Sequence, residues 1–233
     1  MILVLTMLLG WLLGVTQGIR HAFEPDHIAA VSTLVAEQRG PRASMVYAAS
    51  WGAGHALVLL VVGGALLLLR TEMPERLGDA FELAVSAMLI TLGVRALVRA
   101  ARAGRAGPLV AHHHGEVAHT HAAAPSHVHV KGIALARFPL LIGVVHGLAG
   151  SGALAALVLP KLPSAITGLV FIALYGLGAM VGMALLAGLA GVPLTRLMKS
   201  ARGVPILLGI TGSFSLVLGI AWGWPIAMRF ASA

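Results

Sequence analysis

The chain has 233 residues, of which 58% are hydrophobic and 10% are charged, and its mean hydropathy is +0.93. Soluble domains carry about 25% charged residues, so this composition is typical of a polypeptide that is solvated mainly by lipid. The apolar stretches are continuous rather than alternating, which excludes the pattern of a transmembrane β-barrel and favours helices. The absence of cysteine excludes disulfides, thiolate metal sites and cysteine nucleophiles.

Six apolar segments are long enough to span a bilayer, because a helix of about 20 residues suffices. They cover residues 2–20, 43–69, 80–99, 138–160, 165–190 and 204–227. The first is interpreted as a retained span, since it lacks the basic N-terminal region and clear cleavage site of a signal peptide. Apolar sequence resumes at Ile28, so we expect this first segment to break near Pro25, where proline opposes a continuous helix.

The segment 101–136, between the third and fourth spans, is rich in Ala, Gly, Arg and His and is predicted to be a loop of low complexity. It is interpreted either as a site that captures metal ions or as a dispensable linker. Seven of the 11 histidines of the chain lie in it: His112, His113, His114, His119, His121, His127 and His129.

The net charge of +8 comes from basic residues in the short gaps between apolar segments. Such residues usually determine membrane topology, so nucleic acid is not expected as a partner. Ten of the 16 Lys and Arg residues fall on one predicted face and four on the other. The protein is expected in a bacterial inner membrane, and the face with ten should be cytoplasmic. Both termini then lie outside the cytoplasm, and the His-rich loop lies in the cytoplasm.

The two halves of the chain resemble each other at an offset of 124 to 126 residues. Each half has three spans, an odd number, so the two halves must lie in opposite orientations across the membrane. We predict an all-α membrane protein of about six transmembrane helices in two inverted three-helix repeats, residues 1–100 and 137–233. The matched stretches include Gly18-Ile19-Arg20-His21 with Gly143-Val144-Val145-His146, and Gly52-Ala53-Gly54 with Gly176-Leu177-Gly178. In such transporters the substrate site lies near the midplane, where helices are broken.

A dense polar patch ends the first apolar segment, with His21, Glu24, Asp26 and His27 close together. Ionisable groups within a span are costly and indicate function, and imidazole with carboxylate suits Ni²⁺, Co²⁺, Zn²⁺ or Mn²⁺. On a straight helix, His21 and His27 would lie about 240° apart and could not share one face. A break at Pro25 would let His21, Asp26 and His27 face one centre, although the positive end of a new helix opposes a cation there.

Two further histidines lie within predicted spans. His55 follows small residues that permit close helix approach, and His146 lies in a glycine-rich stretch that also contains Ser151, a possible supporting ligand. Either histidine alone is equally well explained as a hydrogen-bonding residue between helices. The cluster of His21, Asp26 and His27 is less easily explained by packing.

Several other polar and aromatic residues are expected to have structural roles. Glu24 either supports the metal site or pairs with Arg20. Glu82 and Arg95, near span ends, are interpreted as snorkelling or topological residues. The tryptophans are interpreted as interface or packing aromatics: Trp11, Trp51, Trp222 and Trp224.

The stretch Arg20-His21-Ala22-Phe23-Glu24-Pro25-Asp26-His27-Ile28 resembles the RHAxDADHI hallmark of the nickel/cobalt transporter (NiCoT or NicO) superfamily. Gly54-His55 is similar to its second His-containing motif, and His146-Gly147-Leu148-Ala149-Gly150-Ser151-Gly152 to the UreH-like nickel permeases. Glu24 and Pro25 replace the usual Asp and Ala, and the Asp/Thr-rich motif of the second half is absent. The resemblance implies that His21, Asp26 and His27 bind metal, supported by His55.

These observations predict a permease and not an enzyme. The expected partners of the permease are a divalent transition-metal ion and the lipid bilayer. Ni²⁺ or Co²⁺ would be a transported substrate, and no prosthetic group is expected. Uptake for a nickel enzyme is the first hypothesis, and efflux by the same fold is the second. An intramembrane metalloenzyme is a remote third, because the sequence contains no HExxH motif. Homo-oligomer formation, contact with a metallochaperone and the energy source remain open.

Overall fold

The computed structural model describes residues 2–35, 41–105, 127–130, 133–158, 164–197 and 203–231. Helices dominate this part of the chain, and a π-helical turn, Leu59–Gly63, joins two of them. The helices are α1 (Ile2–His21), α2 (Pro25–Val35), α3 (Pro41–Val58), α4 (Gly64–Leu69), α5 (Glu75–Arg105), α6 (Arg137–Val158), α7 (Ala165–Leu197) and α8 (Gly203–Ala231).

A short hairpin adds to the predicted helical architecture. Strands β1 (His127–Val130) and β2 (Ile133–Ala136) pair antiparallel, with His127 opposite Ala136 and Val130 opposite Ile133. Both lie in the segment predicted as a loop, where His-Val-His-Val has the alternation of a strand. Helix α6 begins directly after β2.

Helices that can cross a membrane make up most of the described structure. Within the described residues, four are long and apolar enough: Pro41–Leu69, Glu75–Ala103, Ala165–Val192 and Gly203–Ala231. Phe138–Gly150 is a shorter apolar helix. Large apolar side chains such as Leu69, Ile166 and Leu189 are exposed on the outside of the bundle, where lipid rather than water suits them. The chain is a membrane protein.

Four helix pairs make the main interfaces: α5 against α8, α3 against α7, α1 against α7, and α3 against α6. The largest core cluster centres on Trp51, Leu89 and Met183, none of which has measurable exposure. Two buried serine hydroxyls join α5 to α8. Ser86 Oγ donates to the carbonyl of Gly219 at 2.7 Å, and Ser215 Oγ donates to that of Leu89 at 2.9 Å.

Glycines at these interfaces leave no room for a Cβ, which lets the helix backbones approach closely. These contacts occur in pairs related by the repeat. Where a glycine of one half touches a residue of the other half, the equivalent glycine of that other half touches the equivalent residue of the first. The pairs are Gly18 on Tyr175 with Gly143 on Trp51; Gly54 on Leu140 with Gly178 on Val15; Gly52 on Met180 with Gly176 on Ala56; and Gly93 on Leu216 with Gly219 on Ile90.

Candidate metal centre

A helix break lies at the predicted position. Helix α1 ends at His21, α2 begins at Pro25, and a tight turn joins them. The turn is closed by backbone hydrogen bonds from the Phe23 amide to the Arg20 carbonyl at 2.9 Å and from the Glu24 amide to the His21 carbonyl at 3.0 Å. The break lets His21 and His27 face one centre, which a straight helix would not allow, and their ring centroids lie 4.3 Å apart.

Two carboxylates flank the start of α2. Asp26 lies in its first turn, where the positive end of the helix dipole favours an acidic side chain and is partly neutralised by it. Glu24, for which the sequence left open a pairing with Arg20, lies against the histidine instead, with Oε2 3.0 Å from His21 Nδ1. The side chain of Glu24 is 52% exposed, whereas that of His21 is 12% exposed.

Asp26 joins two buried histidines. One carboxylate oxygen accepts from His27 Nδ1 at 3.1 Å, and the other accepts from His146 Nε2 at 2.7 Å. These bonds leave the second nitrogen of each ring, Nε2 of His27 and Nδ1 of His146, buried and without a partner in the described part of the chain. In metal sites, the ring nitrogen of a histidine that does not bind the metal usually donates to a carboxylate or another acceptor.

His55 completes the cluster from α3. It is fully buried, and neither ring nitrogen has a hydrogen-bond partner among the described residues. Its ring centroid lies 5.2 Å from that of His21, 5.4 Å from that of His27 and 5.9 Å from that of His146. A buried polar group without a partner costs about 1–3 kcal/mol, so hydrogen bonding between helices does not explain His55.

Glycines of α6 bring His146 to this cluster. A Cβ at Gly143 would overlap the carbonyl of Trp51, and one at Gly147 would lie 2.8 Å from the carbonyl oxygen of His55. Because both residues lack a side chain, α6 approaches α3 closely and the ring of His146 reaches 4.1 Å from that of His27, measured between centroids.

The ligand atoms form two overlapping groups. One ligand atom each from His21, His27 and His55 lie within 4.8 Å of one another, and so do one each from Asp26, His27 and His146. His27 belongs to both groups. Five side chains from α1, α2, α3 and α6 can therefore offer imidazole and carboxylate ligands. They could hold an ion at one position, or at two adjacent positions between which it moves.

Two aromatic residues enclose the histidines. The Trp51 ring stacks on His27 with centroids 5.4 Å apart and meets His146 edge-on at 5.5 Å. Tyr175 lies 5.4 Å from His21 by the same measure. The sequence interpretation gave Trp51 a general packing role and did not single out Tyr175. The repeat could have indicated both, because they occupy matching positions before Gly52 and Gly176.

A cavity of about 780 Å³ adjoins the cluster. His21, Asp26, His27 and His146 line its inner part. Its remaining lining comes from five helices: Gly10, Leu13, Gln17 and Arg20 of α1, Val85 and Glu82 of α5, Ala149, Gly150 and Leu154 of α6, Phe171 and Tyr175 of α7, and Trp222 of α8, together with Glu24.

The chain is similar in sequence to a urease accessory protein. The urease accessory protein UreH of Bacillus sp. (strain TB-90) is 33% identical over 208 residues, which cover 89% of this chain and 87% of that protein. The chain belongs to the UreH family of the nickel/cobalt transporter superfamily. No protein-family model matches the chain. No solved structure matches it either.

The UreH-family motif and the later histidines thus meet in space. The structure brings together His21, Asp26, His27, His55 and His146, with Glu24 at the margin. Ser151 lies in α6, but its side chain falls outside the described part of the structure, as do those of His127 and His129 in β1. The other loop histidines, His112, His113, His114, His119 and His121, lie outside the described residues.

Proposed function

We propose that this UreH-family protein is a secondary transporter that carries Ni²⁺ or Co²⁺ across the cytoplasmic membrane. The observation that carries the proposal is the convergence of four buried or nearly buried histidines and one aspartate inside an apolar chain. His27, His55 and His146 keep ring nitrogens without partners among the described residues. An ion that accepts those lone pairs would repay the cost of burying them.

The primary ligands in this proposal are His21, Asp26 and His27, with His55 and His146 completing the site. Neutral imidazole binds Ni²⁺ and Co²⁺ well, and a carboxylate adds the charge that a divalent ion needs inside a membrane. Asp26 has two available roles, as a direct ligand or as the group that orients His27 and His146. Both roles require its negative charge.

We propose further that the six long helical segments form two inverted repeats that move against each other around this site. The paired glycine contacts support this, because a pseudo-two-fold axis would relate α1 on α7 to α6 on α3 and leave α5 on α8 unchanged. The helix break also supports it, since broken helices at the repeat interface are typical of secondary transporters. The second half contributes His146 in place of a matching charged motif.

Uptake is the proposed direction. The relative is named a urease accessory protein, and urease is a nickel enzyme, so a supply of nickel to the cytoplasm suits such a role. The excess of Lys and Arg on one face favours a cytoplasmic location for the segment 101–136. Its seven histidines would then capture ions that have crossed the membrane.

Radioactive nickel uptake tests the proposal in cells that express the chain. Wild-type protein should raise accumulation above that of cells with an empty vector, and excess Co²⁺ should compete. His21→Ala and His27→Ala should each abolish the increase, whereas Thr91→Ala, an exposed hydroxyl bonded only within its own helix, should preserve it. Full uptake by both histidine variants would disprove the site.

Efflux is the second candidate, motivated by the His-rich segment as a collector of excess cytoplasmic metal. The two directions make opposite predictions for growth. An importer sensitises cells to nickel or cobalt salts, whereas an exporter raises their tolerance. Membrane amounts of the protein must be matched between wild type and His27→Ala, so that the comparison reports transport rather than expression.

A further inference from the structure

The outer part of the cavity contains an acidic residue that the metal cluster does not use. Glu82 lies on α5, two turns after the start of that helix, and lines the cavity together with Trp222 of α8. The sequence pattern indicated a snorkelling residue near a span end. The structure places Glu82 along the same cavity that His27 and His146 line.

The local contacts leave the charge of Glu82 available to the cavity. Its Oε2 accepts from Trp222 Nε1 at 3.4 Å, and within the described ranges it has no cationic partner in ion-pair distance. The guanidinium of Arg229 is engaged by Asp79, one turn earlier on α5, with Nη2 to Oδ1 at 2.6 Å and Nε to Oδ2 at 3.4 Å. Asp79 thus has the ion pair with Arg229, whereas Glu82, which Arg229 attracts from beyond ion-pair distance, accepts its hydrogen bond from a neutral donor.

The cavity lining as a whole has an excess of negative charge. Glu24, Asp26 and Glu82 contribute three carboxylates, and Arg20 contributes the single guanidinium. Apolar walls from Leu13, Phe171 and other residues keep the effective dielectric constant low, which focuses the field of these charges along the cavity. A divalent cation would be concentrated there relative to bulk solution.

The other end of the cavity shows where such a cation would go. His27 is fully buried and His146 is 2% exposed, and each keeps one ring nitrogen without a partner in the described structure. Glu82 lines the same cavity and accepts its hydrogen bond from Trp222 at an exposed position of the bundle. The cavity therefore extends from Glu82 to residues of the buried histidine–aspartate cluster.

We propose that Glu82 is the recruiting residue of the access path, which attracts the hydrated divalent ion before the histidines bind it. The hydrogen bond from Trp222 orients the carboxylate without neutralising it. This inference rests on the proposed transport function. It assigns Glu82 to capture of the ion and leaves final coordination to the histidine–aspartate cluster.

The kinetics of nickel uptake separate recruitment from coordination. Glu82→Gln should raise the KM for Ni²⁺ on the order of 3- to 10-fold while Vmax stays near wild type, because only the field that concentrates the ion is weakened. The KM of the wild type should rise with ionic strength, and that dependence should flatten in Glu82→Gln. Glu82→Asp, which keeps the charge, should stay close to wild type.

Glu75→Gln is the matched control. Glu75 starts the same helix, carries the same charge and does not line the cavity. Its substitution should leave KM unchanged. Equilibrium binding of Ni²⁺ to purified Glu82→Gln at high salt should also match wild type, since the ligands are intact.

Two results would overturn the inference. One is an unchanged KM in Glu82→Gln, and the other is a decrease of both Vmax and the thermal midpoint in Glu82→Gln and in Glu82→Asp alike. If Glu82→Gln does not reach the membrane, Gln17→Glu decides the matter, because it adds a carboxylate to the same lining. A lower KM in that variant supports recruitment by charge, and an unchanged KM refutes it. Absence of uptake by wild-type protein would refute the transport function itself.

Discussion

Gly143→Ala tests whether close approach of α6 to α3 holds the histidine cluster together. Gly143 lies one turn before His146 and packs on the backbone of Trp51 and His55. An added Cβ would overlap the Trp51 carbonyl and lie 2.9 Å from the His55 amide nitrogen. Those atoms belong to a helix backbone, so they cannot move aside as a flexible side chain would.

The size of the disturbance follows from these distances. An ordinary carbon contact is about 3.5–4.0 Å, so α6 must retreat by roughly 0.6–1.1 Å from the 2.9 Å contact alone. Overpacking of this kind lowers the free energy of unfolding by about 1–3 kcal/mol, and the better helix propensity of alanine offsets about 0.5–1 kcal/mol of that loss. Because misplacement of reacting groups by about 1 Å can cost 100-fold in rate, we expect nickel uptake to fall at least about 10-fold.

The assay combines radioactive nickel uptake in cells with the thermal midpoint of the purified protein in detergent. Gly209→Ala is the control, because a Cβ there meets nothing within 4 Å. It should leave uptake unchanged and raise the midpoint slightly. Gly18→Ala, which makes the reciprocal contact with Tyr175 in the other half, should resemble Gly143→Ala. Wild-type uptake by Gly143→Ala with an unchanged midpoint would refute the role assigned to this contact.

Three further substitutions separate metal binding from folding. Asp26→Asn removes the charge that anchors His27 and His146, so Ni²⁺ affinity measured by calorimetry should fall about 10- to 100-fold; unchanged affinity would exclude both roles of the carboxylate. His55→Leu replaces a buried imidazole without a partner in the described structure, so the thermal midpoint should hold or rise while uptake is lost, whereas retained uptake would remove His55 from the site. Ser86→Ala deletes the 2.7 Å bond to Gly219, so stability should fall by about 1 kcal/mol with normal Ni²⁺ affinity; a loss of affinity would link the α5–α8 interface to the site.

The helix break is a feature that the sequence predicted well. Proline has no amide hydrogen and disfavours helix before it, so the position of the break depends on local chemistry alone. The structure confirms it, with α1 ending at His21 and α2 beginning at Pro25. Apolar length likewise predicted the long helices, because the cost of exposed backbone groups in lipid leaves few alternatives.

The partners of the histidines could not be predicted in the same way. The bond between Asp26 and His146 joins residues 120 positions apart, and it exists because glycines let α6 lie against α3. The repeat aligned His21 with His146 but did not specify which rings would touch. The positions of Trp51 and Tyr175 around the cluster depend on the same packing.

Glu82 illustrates the difference between what the sequence determined and what the tertiary structure determined. The sequence alone determined a lipid-solvated chain with a histidine–aspartate motif at a helix break, because composition, span length and proline act locally. Which way Glu82 faces depends on how α5 rotates against α8, where Ser86 bonds to Gly219 and Trp222 meets the carboxylate. Only the tertiary structure decided that, since helix rotation is determined by contacts between residues far apart in the chain.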